Sequence, residues 1–184
     1  MQWLDSRRRW GRVTLILHWL LALGIALMLG LGLWMVRLDY YHPLYQALPA
    51  LHRDLGLLLA PLLLFRLLWR GFNARPELAG ARWEKGLARF VQAMLLVVPI
   101  LMVVSGYLVS TADGRPVSVL GLFEVPAPRL EIERLEDKAG AVHAWLGYLL
   151  LGLIGLHVAG ALKHHFRDRD TTLTAMLGMK GDIR

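Results

Sequence analysis

Two histidines, His143 and His157, lie fourteen positions apart in a long apolar stretch near the C-terminus. Fourteen steps of about 100° return an α-helix to within roughly 40° of its starting direction, and they advance about 21 Å along its axis. Ionisable side chains are costly inside a bilayer, so a functional role is expected for them there. Imidazole is a frequent axial ligand of haem iron, and the spacing therefore predicts ligands at two depths of one helix.

The composition is that of a polytopic membrane protein. Of the 184 residues, 56% are hydrophobic and 19% are charged, and the mean hydropathy is +0.46. These values lie outside the usual range of soluble domains and predict a single integral-membrane domain over residues 1–184. The absence of cysteine excludes disulfides, covalently attached c-type haem and cysteine-bound iron–sulfur clusters. Histidine, methionine or oxygen ligands must then hold any redox group.

Four apolar runs predict an all-α membrane protein, a four-helix transmembrane bundle. Each run is long enough to cross a hydrocarbon core of about 30 Å. The predicted spans are residues 13–36, 48–69, 87–109 and 139–162, followed by a short amphipathic helix at about residues 170–178.

The distribution of lysine and arginine predicts the orientation of these spans. The N-terminal segment, the loop between the second and third spans and the C-terminal tail are rich in both residues. The first loop has only Arg37, and the third loop, residues 110–138, balances its basic residues with acidic ones. The positive-inside rule places the N- and C-termini in the cytoplasm. Because membrane topology explains the net charge of +7, no nucleic-acid partner is expected.

With this topology, four histidines fall at two depths. His18 begins an outward-running helix and lies at the cytoplasmic level, like His157. His52 begins an inward-running helix and lies at the periplasmic level, like His143. Each pair offers imidazoles from two helices, which suits a bis-histidine haem b in a bundle core. The pattern predicts His18 and His157 as ligands of a cytoplasmic-side haem iron, and His52 and His143 as ligands of a periplasmic-side one.

The histidines could also have one of three different roles. An intramembrane histidine is often part of a hydrogen bond between helices. A structural zinc site also uses imidazole, although its four ligands must converge within a few ångströms and the two pairs are roughly 20 Å apart. A transporter gated by histidines is the third possibility, and it predicts a colourless protein.

Haem propionates are anionic and need cationic or hydrogen-bonding partners near the interface. Arg66 follows His52 by fourteen residues, so it lies on nearly the same helix face at the cytoplasmic level. Anchoring of the spans by snorkelling side chains would explain such positions equally well. The candidates for propionate contacts are Arg12, Arg53, Arg66, Arg70 and Lys138, and those for quinone or propionate contacts are His164 and His165.

The chain resembles the bacterial cytochrome b561 family of small four-helix, di-haem membrane cytochromes. The resemblance covers nearly the whole chain. It implies that helices one, two and four supply the ligands of two non-covalent haem b groups. The residues that carry it are His18-Trp19, Leu51-His52, Arg66, Arg70, Gly106-Tyr107 through Thr111, His143, His157 and the stretch ALKHHF at residues 161–166.

The resemblance also implies electron exchange with ubiquinone in the bacterial inner membrane. One branch of the family oxidises periplasmic superoxide and reduces ubiquinone, and related branches anchor other oxidoreductases in the membrane. The expected function is a transmembrane electron-transfer protein, with superoxide:ubiquinone oxidoreductase activity as the narrower prediction. The alternative is a haem-bearing anchor that relays electrons for a periplasmic redox partner. Steering superoxide would need a cationic entrance, for which Arg115, Arg129, Arg134 and Lys138 are candidates beside acidic neighbours.

The predicted orientation can be tested with alkaline phosphatase, which is active only in the periplasm. A fusion after Ser118 should be active because the third loop is predicted to be periplasmic. A fusion after Ala79 should be inactive. The opposite pattern of activities would invert the topology.

Overall fold

The computed structural model describes residues 2–7, 9–74 and 76–179. Arg8 and Arg75, two of the basic residues that contribute to the predicted orientation, lie outside the described residues. A π-helical turn at His164–Asp168 extends the fourth long helix. The elements are α1 (Arg12–Met35), α2 (Ala47–Phe72), α3 (Arg82–Ser110), β1 (Val117–Val119), β2 (Phe123–Val125), α4 (Leu135–Lys163) and α5 (Thr172–Met176).

The four long helices confirm the predicted bundle. Each of α1 to α4 is long and apolar enough to cross a membrane. Helices that follow one another in the chain pack side by side, and α3 and α4 share the most extensive interface. Its core is formed by Val91 and Val98 of α3 with Leu150 and Leu153 of α4, and Ile25 of α1 packs against it. The helix without histidines therefore supports the helix that carries two.

On each long helix, three of the residues that face the inside of the bundle are spaced seven positions apart. Seven residues advance a helix by about 10.5 Å and change the side-chain direction by only about 20°, so such a repeat marks one stripe. The stripes define three layers of the bundle. The tail-side layer, toward the C-terminal tail, is His18, Arg66, Val91 and His157. The middle layer is Ile25, Leu59, Val98 and Leu150. The hairpin-side layer, toward the hairpin that β1 and β2 form, is Gly32, His52, Ser105 and His143.

Two helices begin earlier than the apolar pattern predicts. α3 begins at Arg82 and α4 at Leu135, ahead of the predicted residues 87 and 139. The Glu84 carboxylate accepts a hydrogen bond from the backbone N–H of Ala81 at 2.8 Å, and Glu136 and Asp137 occupy the first turn of α4. Acidic side chains stabilise helix N-termini, but they interrupt an apolar run. Hydropathy therefore located the membrane-facing part of these helices and missed their polar first turns.

A β-hairpin lies within the third loop, where the sequence pattern predicted only a long loop. Its strands are antiparallel, with Val117 opposite Val125 and Val119 opposite Phe123. The turn residues Leu120 and Gly121 have φ values of 50° and 71°. Two successive positive φ values give the backbone twist that joins hairpin strands tightly. Val119 is completely buried, so the hairpin packs onto the end of the bundle.

Two neighbouring residues of α2 fasten this hairpin. The buried Asp54 carboxylate accepts the backbone N–H of Leu120 at 3.1 Å. Arg53 pairs with Asp54 at 2.8 Å and donates to the backbone carbonyl of Ser118 at 3.3 Å. Since both residues follow His52 directly, the hairpin is tied to the helix turn that presents this histidine.

Short segments close the opposite end of the bundle. The Asp5 carboxylate accepts hydrogen bonds from the N–H of Gly11 at 2.6 Å and from the Thr14 hydroxyl at 2.7 Å. Thr14 in turn accepts the indole N–H of Trp69 at 2.8 Å, which ties α1 to α2. Trp19 donates its indole N–H to the Met176 carbonyl at 2.8 Å, which holds α5 against α1. This is the end at which His18 and His157 lie.

Replacement of Asp54 by alanine should loosen the hairpin. The change leaves the N–H of Leu120 without its acceptor and Arg53 without its carboxylate partner, and the free energy of unfolding should fall by about 1–3 kcal/mol. Limited proteolysis should then cut residues 117–125 faster than in the unmodified protein. Asp113→Ala is the control, because Asp113 pairs only on an exposed loop with Arg115, where ion pairs contribute little. Equal proteolysis of the two variants would show that Asp54 does not fasten the hairpin.

Candidate cofactor sites

The four histidines of the spans lie in two pairs. The ring centroids of His18 in α1 and His157 in α4 are 6.1 Å apart, and their planes are inclined by 58°. The ring centroids of His52 in α2 and His143 in α4 are also 6.1 Å apart, with an inclination of 81°. All four side chains are half-buried. The structure thus brings together the partners that the sequence paired, while their role as iron ligands stays a prediction.

The ring separation fits a metal ion between the rings of each pair. A coordinating imidazole nitrogen lies about 2.0 Å from the metal, and its ring centre lies about 1.1 Å beyond, so two opposed rings have centres about 6 Å apart. A direct hydrogen bond between the rings would bring their centres to about 5 Å. The observed 6.1 Å matches the first arrangement. Neither pair is therefore accounted for by hydrogen bonding between its own imidazoles.

The two pairs cannot form one zinc site. His143 and His157 belong to one continuous helix, so their fourteen-residue spacing separates them by about 21 Å. A closed zinc site needs four ligands around one ion. The middle layer fills the space between the pairs, and its Leu150 is only 2% exposed.

Glycines make room for two of the imidazoles. A Cβ built on Gly106 would lie 3.1 Å from Cε1 of His143, and one built on Gly32 would lie 3.3 Å from Cε1 of His52. Both distances are tighter than an ordinary carbon–carbon contact of about 3.5–4.0 Å. A larger residue at either position would press on the ring and change its direction.

The environment of the two hairpin-side histidines differs. Nδ1 of His143 lies 3.0 Å from the Met102 carbonyl oxygen and 3.0 Å from the Ser105 hydroxyl. Nδ1 of His52 is buried, and within the described chain it has no hydrogen-bond partner. Groups that hydrogen-bond the free nitrogen of a metal-binding imidazole orient its ring. The contacts of Met102 and Ser105 with His143 were not predicted from the sequence. The sequence indicates them only through the small hydroxyl side chain of Ser105 within the apolar run of α3.

The predicted cationic residues are placed as follows. Arg66 is half-buried and close enough to His18 and Asp5 for electrostatic interaction. Arg12 lies over the ring of Trp3, with its guanidinium carbon 5.5 Å from the centroid. Arg53 is occupied by Asp54 and the hairpin. Of these three, Arg66 is the candidate whose position best suits an anionic group near a histidine pair.

His164 and His165 lie in the π-helical turn after α4. The His164 ring donates from Nδ1 to Asp170 at 2.7 Å and is 3.1 Å from Asp168. Burial tends to raise the pKa of Asp170, but hydrogen bonds from Thr172 and His164 outweigh it and hold that pKa below its usual range. The His165 ring packs edge-on against Phe166, with centroids 4.8 Å apart. Their contacts with quinone or propionate stay predictions.

A further ion-pair network involves the residue before this turn. Lys163 donates to Glu84 of α3 at 2.5 Å and to Asp168 at 2.8 Å. His164, Asp168 and Asp170 have ligand atoms within 4.8 Å of one another, but Lys163 already neutralises Asp168. The network therefore fastens the end of α4 to the start of α3.

Comparison with known proteins identifies the family. Residues 9–179 match the family model described as prokaryotic cytochrome b561. The chain belongs to this family. It is similar to cytochrome b561 homolog 2 of Escherichia coli (strain K12), with 40% identity over 180 residues, covering 97% of this chain and 96% of the relative. It is also similar to cytochrome b561 homolog 1 of the same organism, with 24% identity over 177 residues, covering 92% of this chain and 97% of the relative.

Membership confirms the resemblance drawn from the sequence. It implies haem b as the cofactor and is consistent with electron transfer in a membrane. A cytochrome is a coloured redox protein, so the colourless histidine-gated transporter is no longer a competing hypothesis. The residues present fit haem b, because the two rings of each histidine pair are separated by the distance expected when one metal ion is coordinated between them.

The pairing predicts the consequences of removing single ligands. His18→Ala and His157→Ala should each abolish the same spectroscopic haem signal and leave the other signal intact, because the two imidazoles are predicted to bind one iron. Haem content and difference spectra of the purified variants provide the measurement. His42→Ala is a matched control, since Nδ1 of His42 accepts the N–H of Leu44 in a loop outside the bundle. Loss of different haem signals from the two variants would show that the pairing is wrong.

Proposed function

We propose that the chain is a transmembrane electron-transfer protein that binds two haem b groups and exchanges electrons with membrane ubiquinone. The observation that carries this proposal is the presence of two imidazole pairs, each with a centroid separation of 6.1 Å, at the two ends of α4. Haem b supplies a one-electron carrier when it is bound. Two such sites at different depths would make a path for electrons through the bilayer.

The chain's own residues have three tasks in this function. His18 with His157, and His52 with His143, would hold the two cofactors without a covalent link. Leu150 and the rest of the middle layer keep the space between the two sites apolar and packed. Arg66 offers positive charge beside the tail-side pair, where an anionic propionate would be stabilised.

We further propose that the protein lies in the bacterial inner membrane with both termini in the cytoplasm. The lysine and arginine distribution supports this orientation. It would place the pair of His18 and His157 on the cytoplasmic side and the hairpin on the periplasmic side. His164 and His165 would then lie near the cytoplasmic surface, where a quinone headgroup has access to protons.

Superoxide oxidation coupled to ubiquinone reduction is the finer proposal. A cationic entrance would favour it, but two of the four candidate cations are paired locally. Arg115 is 2.6 Å from Asp113, and Arg134 is 2.9 Å from Asp137. Hydrogen bonds from Arg115 hold the pKa of Asp113 below its usual range, so this carboxylate remains charged and balances the arginine. Electron exchange with quinone is thus better supported than steering of superoxide.

Electron transfer across a membrane can be measured in reconstituted vesicles. The haem-loaded protein is incorporated into vesicles that enclose ferricyanide, and dithionite is added outside. Ferricyanide should be reduced faster than in protein-free vesicles, because the two sites span the bilayer. The rate should fall to background with His157→Ala and stay unchanged with His42→Ala. Background rates with the fully haem-loaded protein would contradict the proposal.

A second assay separates the superoxide enzyme from a membrane anchor. Superoxide is generated by an enzymatic source in the presence of ubiquinone and the purified protein. Protein-dependent reduction of ubiquinone would support superoxide:ubiquinone oxidoreductase activity. Its absence, together with electron transfer in the vesicle assay, would favour a subunit that relays electrons for a partner oxidoreductase.

A further inference from the structure

We propose that Ser105 of α3 is a positioning residue for His143 and makes the hairpin-side haem electronically different from the tail-side one. The proposal rests on the haem ligation put forward under the proposed function. It concerns a helix that contributes no ligand. Ser105 is 5% exposed, belongs to the hairpin-side layer and lies one residue before Gly106, the glycine that makes room for the His143 ring.

The Met102 carbonyl and the Ser105 hydroxyl together determine which nitrogen of His143 carries a proton. The Ser105 hydroxyl has a single hydrogen and lies 3.0 Å from the Met102 carbonyl oxygen, while Nδ1 of His143 is 3.0 Å from both oxygens. A carbonyl oxygen only accepts hydrogen bonds. An unprotonated Nδ1 would therefore place two lone pairs against each other. The arrangement is satisfied when Nδ1–H donates to Met102 and Ser105.

This protonation state leaves Nε2 of His143 as the ligand atom. A neutral imidazole has one donor and one acceptor nitrogen, so a protonated Nδ1 makes Nε2 the acceptor. Donation from Nδ1–H also raises the basicity of the ligand nitrogen. A more basic ligand stabilises the ferric state relative to the ferrous state. The interaction should therefore lower the midpoint potential of the hairpin-side haem.

Among the described residues, the other three imidazoles have no comparable hydrogen bond. Nδ1 of His52 is buried without a hydrogen-bond partner among the described residues. Within the same part of the chain, the contacts found for the His18 and His157 rings are aromatic and electrostatic, not hydrogen bonds. In the part of the chain that the structure describes, a hydrogen bond at Nδ1 is thus found for one histidine of one pair. The bundle has similar layers at both ends, and Ser105 makes the surroundings of the hairpin-side histidines different from those of the tail-side histidines.

Redox titration of Ser105→Ala tests the proposal. The haem content of the unmodified protein is established first, and both midpoint potentials are then followed by optical spectra and low-temperature EPR. The variant should retain two haems, with one potential raised and the other unchanged. Because the Met102 carbonyl still accepts from Nδ1–H in this variant, only one of the two acceptors is lost. We expect the ratio of reduced to oxidised hairpin-side haem at a fixed potential to change about three-fold, which corresponds to about 28 mV for a one-electron couple.

Three further variants make the result specific. Ser105→Thr keeps the hydroxyl oxygen and should restore the original potential. Ser110→Ala is the matched control, because the Ser110 hydroxyl donates to a backbone carbonyl of the same helix, that of Gly106 at 2.9 Å, and has no hydrogen bond to a histidine among the described residues. It should change neither potential. Should Ser105→Ala fail to fold, Ser105→Cys takes its place, because sulfur is a weak acceptor and should raise the same potential.

The outcomes distinguish this proposal from the proposed function. Two haems with unchanged potentials in the alanine variant, or in the cysteine variant where alanine does not fold, would overturn the role of Ser105 and leave the haem ligation intact. Equal shifts in both potentials would also overturn it. Fewer than two haems in the unmodified protein would instead contradict the proposed function itself.

Discussion

A spacing of seven residues, repeated on four helices, is the constraint on which the rest of the structure depends. α4 presents His143 toward α2 and His157 toward α1, and both histidines lie on one stripe of the helix. Fourteen residues return the side chain to nearly the same direction, and Leu150 occupies the position between them.

The same repeat determines what the neighbouring helices place beside the histidines. On α1, a step of fourteen residues from His18 leads to Gly32, whose missing side chain leaves space for His52. On α3, the same stripe leads from the packed Val91 to Ser105, which meets His143. The two ends of the bundle therefore share a plan but differ in chemistry. One has a nearby guanidinium and the other a hydroxyl and a carbonyl oxygen.

Polar groups inside the bundle are costly unless they are partnered, since a buried unpaired donor or acceptor costs about 1–3 kcal/mol. Asp54 meets this requirement through Arg53 and the hairpin backbone, and Thr14 through Asp5 and Trp69. His52 does not meet it at Nδ1 within the described residues. The protein thus combines satisfied polar anchors near the bundle ends with one buried imidazole, that of His52, whose Nδ1 lacks a hydrogen-bond partner among the described residues.

Much of this arrangement could be predicted from the sequence. The four spans follow from apolar length, and the pairing of His18 with His157 and of His52 with His143 follows from topology and helical spacing. The hairpin at residues 117–125 could not be predicted in this way, because strands of three residues carry too little periodicity and their anchor, Asp54, is distant in the chain. The contact of Ser105 with His143 also depends on how α3 rotates against α4, which hydropathy does not determine.

Haem quantitation on the purified protein, combined with a reduced-minus-oxidised optical spectrum, tests the assignment of the histidine pairs most directly. Two haem b groups per chain, both six-coordinate and low-spin, are the expected result, because each imidazole pair has room for one iron. One haem per chain would contradict one of the two pairs, and a colourless protein would contradict both.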